Sequence, residues 1–124
     1  MPAKVVDSSA VAALLFGEPA ASEMTRRFHG ATLVAPALLI YELANVCLKK
    51  IRAHSDSRDR LLLAFEVWSE MGINLVTIDL SAVLPLAESL GLTAYDASYL
   101  WLARRLGAEL VTLDRRLARA ANPA

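Results

Sequence analysis

Four carboxylates stand out by where they fall along the chain: Asp7, Glu42, Asp96 and Asp114. Asp7 closes the short run Lys4-Val5-Val6, and Ser8-Ser9 then opens an Ala- and Leu-rich helical stretch. Asp114 closes the run Leu110-Val111-Thr112-Leu113. Asp96 stands three residues after Thr93, in the first turn of a helix that Thr93 caps. Each of these three has an ordinary explanation when taken alone, because an aspartate at a helix start satisfies free backbone N–H groups. Glu42 has none. It falls mid-helix in the segment Ala35 to Leu48, which is apolar nearly all round, and burying an unpaired carboxylate there costs several kcal/mol. Asn45, three residues on, shares its helix face and extends the polar spot.

Together the four acids suggest one chemistry. Like charges about 4 Å apart repel by roughly 4 kcal/mol at an effective dielectric of 20, so a carboxylate cluster at neutral pH calls for a cation. Oxygen donors without His or Cys favour Mg²⁺ or Mn²⁺ over zinc. Such an ion can hold a phosphodiester oxygen and activate a water for in-line attack. His29 and His54 have no ligand-spaced partner and read as surface residues, while Cys47, the single cysteine, excludes an internal disulfide.

The stretch Leu92 to Asp114 shows how the acids could be positioned. Thr93 starts a helix, Tyr95, Ala97, Leu100, Trp101 and Leu102 give it an apolar stripe, and Gly107 stops it after Arg104-Arg105. Leu110 to Leu113 then reads as a buried strand that ends at Asp114. Further strand candidates are Lys4 to Val6, Thr32 to Val34 and Ile73 to Ile78. Between them the pattern predicts a helix to about Phe16, a second from Pro19 to about Phe28, and a long one opened by Pro36 and reaching Ala53. After the loop His54 to Ser57, a helix from Arg58 to Met71 stops at Gly72, and another containing Pro85 is capped by Asp79 or Ser81. Strands alternating with helices imply a parallel sheet covered on both faces. In such a sheet, strand ends and following helix starts converge on one crevice, where these carboxylates would meet.

The 124 residues are expected to form a single domain, 1–124. Net charge is zero, which gives no general attraction for nucleic acid, although Lys49-Lys50, Arg52, Arg58, Arg60, Arg104-Arg105 and Arg115-Arg116 form local basic clusters. A hydrophobic content of 56% is high for a chain this size, and a homodimer or bound partner is the expected way to cover the surplus. Asp7 breaks the first apolar run, so no signal-peptide pattern is present, and no apolar run has membrane-spanning length. The expected location is the cytoplasm, with no membrane contact.

The pieces Val5-Val6-Asp7-Ser8-Ser9, Tyr41-Glu42-Leu43, Leu92-Thr93-Ala94-Tyr95-Asp96-Ala97 and Leu110-Val111-Thr112-Leu113-Asp114, in this order, resemble the PIN-domain ribonucleases. More narrowly they resemble the VapC-type toxins of bacterial type II toxin–antitoxin pairs. The resemblance implies an α/β fold, a three-layer α/β/α sandwich around a parallel sheet of four to five short strands. It implies an endoribonuclease dependent on Mg²⁺ or Mn²⁺ that cuts tRNA or rRNA, inhibits translation when free, and is covered by a cognate VapB-type antitoxin. Carried over residue by residue, the acidic quartet is Asp7, Glu42, Asp96 and Asp114: the three aspartates would hold the metal directly or through water, and Glu42 would complete the cluster and either orient the attacking water or help recruit a second ion. Ser9 and Thr112 match small hydroxyl positions beside the metal; Arg115 and Arg116 could contact RNA phosphates. Asp79 matches no catalytic position and reads as a helix cap.

Other readings are weaker. A phosphoacceptor receiver domain would carry adjacent acids after its first strand and a lysine after its last, and a haloacid-dehalogenase-type phosphotransferase would carry Asp-x-Asp where this chain has Asp7-Ser8-Ser9. A PIN-like module that binds RNA or protein without cleaving would be expected to have lost one of the four acids.

Overall fold

The β-branched and apolar runs at Val5-Val6, Leu33-Val34 and Leu110-Val111 are buried, and they lie side by side. A computed structural model describes residues 1–122. Four parallel strands, β1 (Ala3–Val6), β2 (Thr32–Pro36), β3 (Asn74–Val76) and β4 (Glu109–Val111), form one sheet in the order β3-β2-β1-β4. Val5 lies opposite Val34 on one side and Leu110 on the other, so β1 is central and its two valines have no exposed surface. Parallel strands covered on both faces are expected to be short continuous apolar runs of this kind.

Among the described residues six helices connect the strands, α1 (Ser8–Leu15), α2 (Ala21–Phe28), α3 (Leu39–Ala53), α4 (Arg58–Glu66), α5 (Leu80–Leu90) and α6 (Ala94–Leu106), and α7 (Arg115–Ala121) follows β4. From β1 the chain steps outward to β2 and β3, then returns through α5 and α6 to β4 on the far side of β1. Because parallel crossovers are right-handed, this reversal moves the helices to the opposite face. Accordingly α1 to α4 pack among themselves, while α6 packs against α5, α7 and strands β1, β2 and β4. The result is a three-layer α/β/α sandwich.

Helix α6 is the inner wall of its layer. Ala97, Ser98, Tyr99, Leu100, Leu102 and Ala103 are all buried. Thr93 caps it, its Oγ1 accepting from the Asp96 N–H at 3.1 Å, and Gly107 ends it at φ 60°, a left-handed conformation that costs a glycine nothing. Asp79 caps α5 by accepting from the Ala82 N–H, as the cap reading expected.

Several sequence boundaries shift. Pro36 does not open α3 but ends β2, and α3 starts at Leu39. Its position at the end of the strand explains the tolerance: β2 pairs with β1 only as far as Val34, so on that side Pro36 has no ladder partner that needs its N–H. Glu42 is therefore in the first turn of α3 rather than mid-helix. The helix expected from Arg58 to Met71 is α only to Glu66 and tightens into a 3-10 turn over Val67–Glu70. His54 to Ser57, read as loop, contains the 3-10 turn Ser55–Ser57. Strands expected over Ile73 to Ile78 and Leu110 to Leu113 shorten to Asn74–Val76 and Glu109–Val111, because only residues with a neighbour in register pair. The second helix starts at Ala21, two residues beyond Pro19.

Leu100 presses α6 onto the sheet at 1% exposure. Leu100→Ala is expected to lower unfolding free energy by about 2–5 kcal/mol in urea titrations; a loss under about 1 kcal/mol would mean α6 is not a core element.

Candidate active site

The sheet order places a topological switch point between β1 and β4, and Asp7 and Asp114 lie just beyond the C-terminal ends of those two strands. Asp7 begins α1: its Oδ1 accepts from the Ala10 N–H at 3.0 Å and from the Ser9 hydroxyl at 2.7 Å. Its Oδ2 accepts from the Thr112 hydroxyl at 2.5 Å. Thr112 Oγ1 in turn accepts from the Asp114 N–H at 3.0 Å, and Ser9 Oγ accepts from the Leu113 N–H at 2.9 Å. The Asp7 N–H completes the stitch by donating to Val111 O at 3.2 Å. Residues more than 100 positions apart are thus tied around one carboxylate, itself only 5% exposed.

Asp114 caps α7, its Oδ1 accepting from the N–H groups of Arg116 and Leu117. The cap explanation thus holds for Asp7 and Asp114, and it does not compete with a site: helices that leave the C-terminal edge of a parallel sheet begin at the crevice. Asp96 differs, since Thr93 does the capping and leaves the Asp96 carboxylate half-buried in the first turn. α6 runs back antiparallel to β4, which brings its N-terminus to the same edge. Glu42 reaches that edge from the start of α3 and accepts a 2.6 Å hydrogen bond from the Tyr99 hydroxyl on Oε1.

The electrostatics show that these groups sense one another. Burial raises the Asp7 carboxyl above its ordinary value; Asp114 adds to the shift, while the Thr112 and Ser9 hydroxyls and the Ala10 N–H oppose it. Glu42 is raised by burial and by Asp96 and Asp7, with the Tyr99 hydroxyl pulling the other way. Asp96 is raised by burial and by Asp114, and Arg116 partly offsets this. The Tyr99 phenol, 1% exposed and facing Glu42, is held protonated far above the ordinary phenol range, first by burial and then by that hydrogen bond.

All four acids found in the sequence therefore contribute to one negative crevice, with Ser9 and Thr112 inside it. Asn45 is exposed one turn along α3 and lines a shared cleft with Glu42. Arg115 and Arg116 are both exposed, and Arg116 donates to Gly91 O. Sequence reasoning missed Tyr99. A phenol on an otherwise apolar helix stripe was the available signal, because a buried Tyr hydroxyl requires a partner.

The donor set suits a hard cation: carboxylate and hydroxyl oxygens, with no His or Cys sulfur in the crevice. Among the described residues no three acidic, His or Cys side chains form a ready-made cage. Asp7 is drawn to Ser9 and Thr112, Glu42 to Tyr99, and Asp114 to the α7 backbone. An open set of this kind would suit an ion that keeps several waters and takes few carboxylates directly, as Mg²⁺ does.

A parallel α/β sandwich with an acid-lined crevice at its switch point is the class that fold and site define. The family model of the PIN domain matches residues 4–123. Ribonuclease VapC3 of Pyrobaculum aerophilum is 34% identical over 119 residues, covering 92% of this chain and 91% of that protein. The crystal structure of PAE2754 from the same organism superposes with a TM-score of 0.80 at 27% identity, covering 99% of this chain and 87% of the other. VapC20 of Mycobacterium tuberculosis, described as a sarcin-ricin loop cleaving toxin, shares the fold with a TM-score of 0.69 at 16% identity, covering 94% of each chain. The chain belongs to the PIN-domain family, among its VapC-type ribonucleases.

Two predictions follow from the hydrogen bonds and the raised carboxyls. Thr112→Val removes both the donor to Asp7 and the acceptor for the Asp114 N–H, and should lower unfolding free energy by about 1–3 kcal/mol. Asp7, Glu42 and Asp96 have pKa values higher in the folded chain than in the unfolded one. Their protonation thus favours the folded state as pH falls toward the ordinary carboxylate range, and that contribution is lost as pH rises through the raised values. With chelator present, going from about pH 7 to about pH 5 should raise Tm more in the wild type than in Asp7→Asn. Identical pH profiles would show that Asp7 carries no such strain.

Proposed function

We propose that this chain is a divalent-metal-dependent endoribonuclease and the toxin of a toxin–antitoxin pair. The observation that carries the reading is the convergence of four carboxylates from β1, α3, α6 and β4 on one crevice. Membership in the PIN family supports it further.

In this proposal Asp7, Asp96 and Asp114 hold Mg²⁺ or Mn²⁺, in part through water, and Glu42 completes the set. When bound, the cation supplies neutralisation of the carboxylates and of the phosphodiester and lowers the pKa of a water. The chain's own groups do the rest. Ser9, Thr112 and the Ala10 N–H hold Asp7 in one orientation, so the charge facing the substrate needs little reorganisation. Tyr99 occupies Oε1 of Glu42, leaving Oε2 to orient the attacking water and take its proton. Burial raises the Glu42 pKa, which makes it a stronger base than a free carboxylate. Arg116 tempers the charge on Asp96, and Arg115 is exposed at the rim for a phosphate.

The substrate class we propose is tRNA or rRNA, with inhibited translation as the consequence, in the cytoplasm. No helix among the described residues is long and apolar enough to cross a membrane. A VapB-type antitoxin would cover the crevice, and a second copy would form a homodimer. Exposed leucines support partners of this kind, among them Leu63 at 72% and Leu84 at 59%.

The test is cleavage of total cellular RNA with Mg²⁺, with Mn²⁺ and with chelator, beside an identically prepared Asp96→Asn protein. Discrete fragments that require metal and drop by about 100-fold or more in the variant are expected. Equal cleavage by both preparations would assign the activity to a contaminant. RNA binding without cleavage by the wild type would favour the alternative, a PIN-like binding module.

A further inference from the structure

Two aromatic side chains beside the crevice have no part in the acid site. Tyr41 and Tyr95 each precede an acid, Glu42 and Asp96, in the first turns of α3 and α6. Their rings are largely in water, at 81% and 64% exposure, whereas Tyr99 is buried. Both face one cleft of about 410 Å³ whose walls also include Leu38, Asn45 and Glu42 itself. Leu38 and Tyr95 continue into an adjoining, mostly apolar cleft of about 400 Å³, closed by Pro36, Val76, Ile78 and Leu80 at the ends of β2 and β3. Acidic crevice and aromatic groove therefore form one surface, with Glu42 at the seam.

A nucleic acid approaching this edge meets a difficulty. The crevice is negative, and Arg116 donates to Gly91 O, so attraction for phosphates at this edge rests on a bound cation and on Arg115 at the rim. Stacking has no such limit, because every base has an apolar face and aromatic side chains hold unpaired bases without regard to charge. With a scissile phosphodiester at the carboxylates, the neighbouring nucleotide has its base within reach of Tyr41 and Tyr95. The exposed Asn45 amide in the same cleft offers both a donor and an acceptor to a base edge.

We propose that Tyr41 and Tyr95 form a stacking subsite for an unpaired RNA base adjacent to the cleaved bond, with Asn45 reading its edge. This rests on the ribonuclease reading and adds a requirement to it: the substrate must be single-stranded at the cut. A base-paired nucleotide cannot offer its face to the rings.

The test uses Asp96→Asn as a background that holds RNA uncleaved in Mg²⁺, with a fluorescein-labelled oligouridine as probe. Adding Tyr41→Leu and Tyr95→Leu together should weaken binding by about 5- to 150-fold, the range for losing base stacking. Phe at both positions should restore it, since the ring and not the hydroxyl does the stacking. The same oligomer annealed to its complement, or made abasic, should bind weakly and alike to all variants. Equal affinity of the Leu and unsubstituted proteins for oligouridine would overturn the subsite while leaving the ribonuclease reading intact, as would failure of Phe to rescue. A change in oligomeric state in the Leu variant, with RNA affinity unchanged, would instead assign the groove to a contact between copies. No binding of any RNA by the background protein would count against the ribonuclease reading and the subsite together.

Discussion

The rest of the structure is organised around the repulsion among carboxylates that share a partly buried crevice. Burial and mutual charge both push Asp7, Glu42 and Asp96 toward protonation. The fold resists this with hydrogen bonds aimed at particular oxygens. Ser9, Thr112 and a backbone N–H serve Asp7, and the buried Tyr99 serves Glu42. Charge-assisted hydrogen bonds of this kind are roughly twice as strong as neutral ones, so a few of them can hold a strained anion in place. The charge that these bonds leave unbalanced is what a bound cation would neutralise.

Topology supplies the convergence. Because β4 returns to the far side of β1, two strand exits flank the switch point, and two aspartates placed as helix caps become neighbours. The same geometry points the first turns of α3 and α6 at that edge. A cap residue here has two roles at once, since the N-terminus it satisfies already favours negative charge. The core enforces this placement: α6 is apolar on the face that meets β1 and β2, and Tyr99 carries its one polar atom through that core to Glu42.

The hydrophobic surplus seen in the composition does not enlarge the core. Leu48, Leu62, Leu63, Val67, Leu80 and Leu84 stay exposed. A four-stranded sheet with strands of three to five residues offers little area to cover, so α3, α4, the 3-10 turn after it and α5 present apolar side chains outward. The exposed Tyr41 and Tyr95 belong to a different surface, the edge that carries the acids.

The sequence by itself was enough for the alternation of strands and helices, the parallel sheet, the Thr93 and Gly107 boundaries of α6 and the four acids. Those features depend on local backbone preferences and on where charges interrupt apolar runs. It was not enough for strand ends, which depend on having a partner in register, nor for Pro36, whose place in β2 is decided by the neighbouring ladder. It also misplaced Glu42 as mid-helix, since the start of α3 is set by how the chain leaves β2. Only the tertiary structure decided that Tyr99 serves Glu42, that Thr112 binds Asp7 and Ser9 takes the Leu113 N–H across the chain, and that Arg116 turns to Gly91. These pairs are 57, 105, 104 and 25 positions apart. Local pattern reports which groups a chain carries; which of them touch is settled by the energy of folding them onto one sheet.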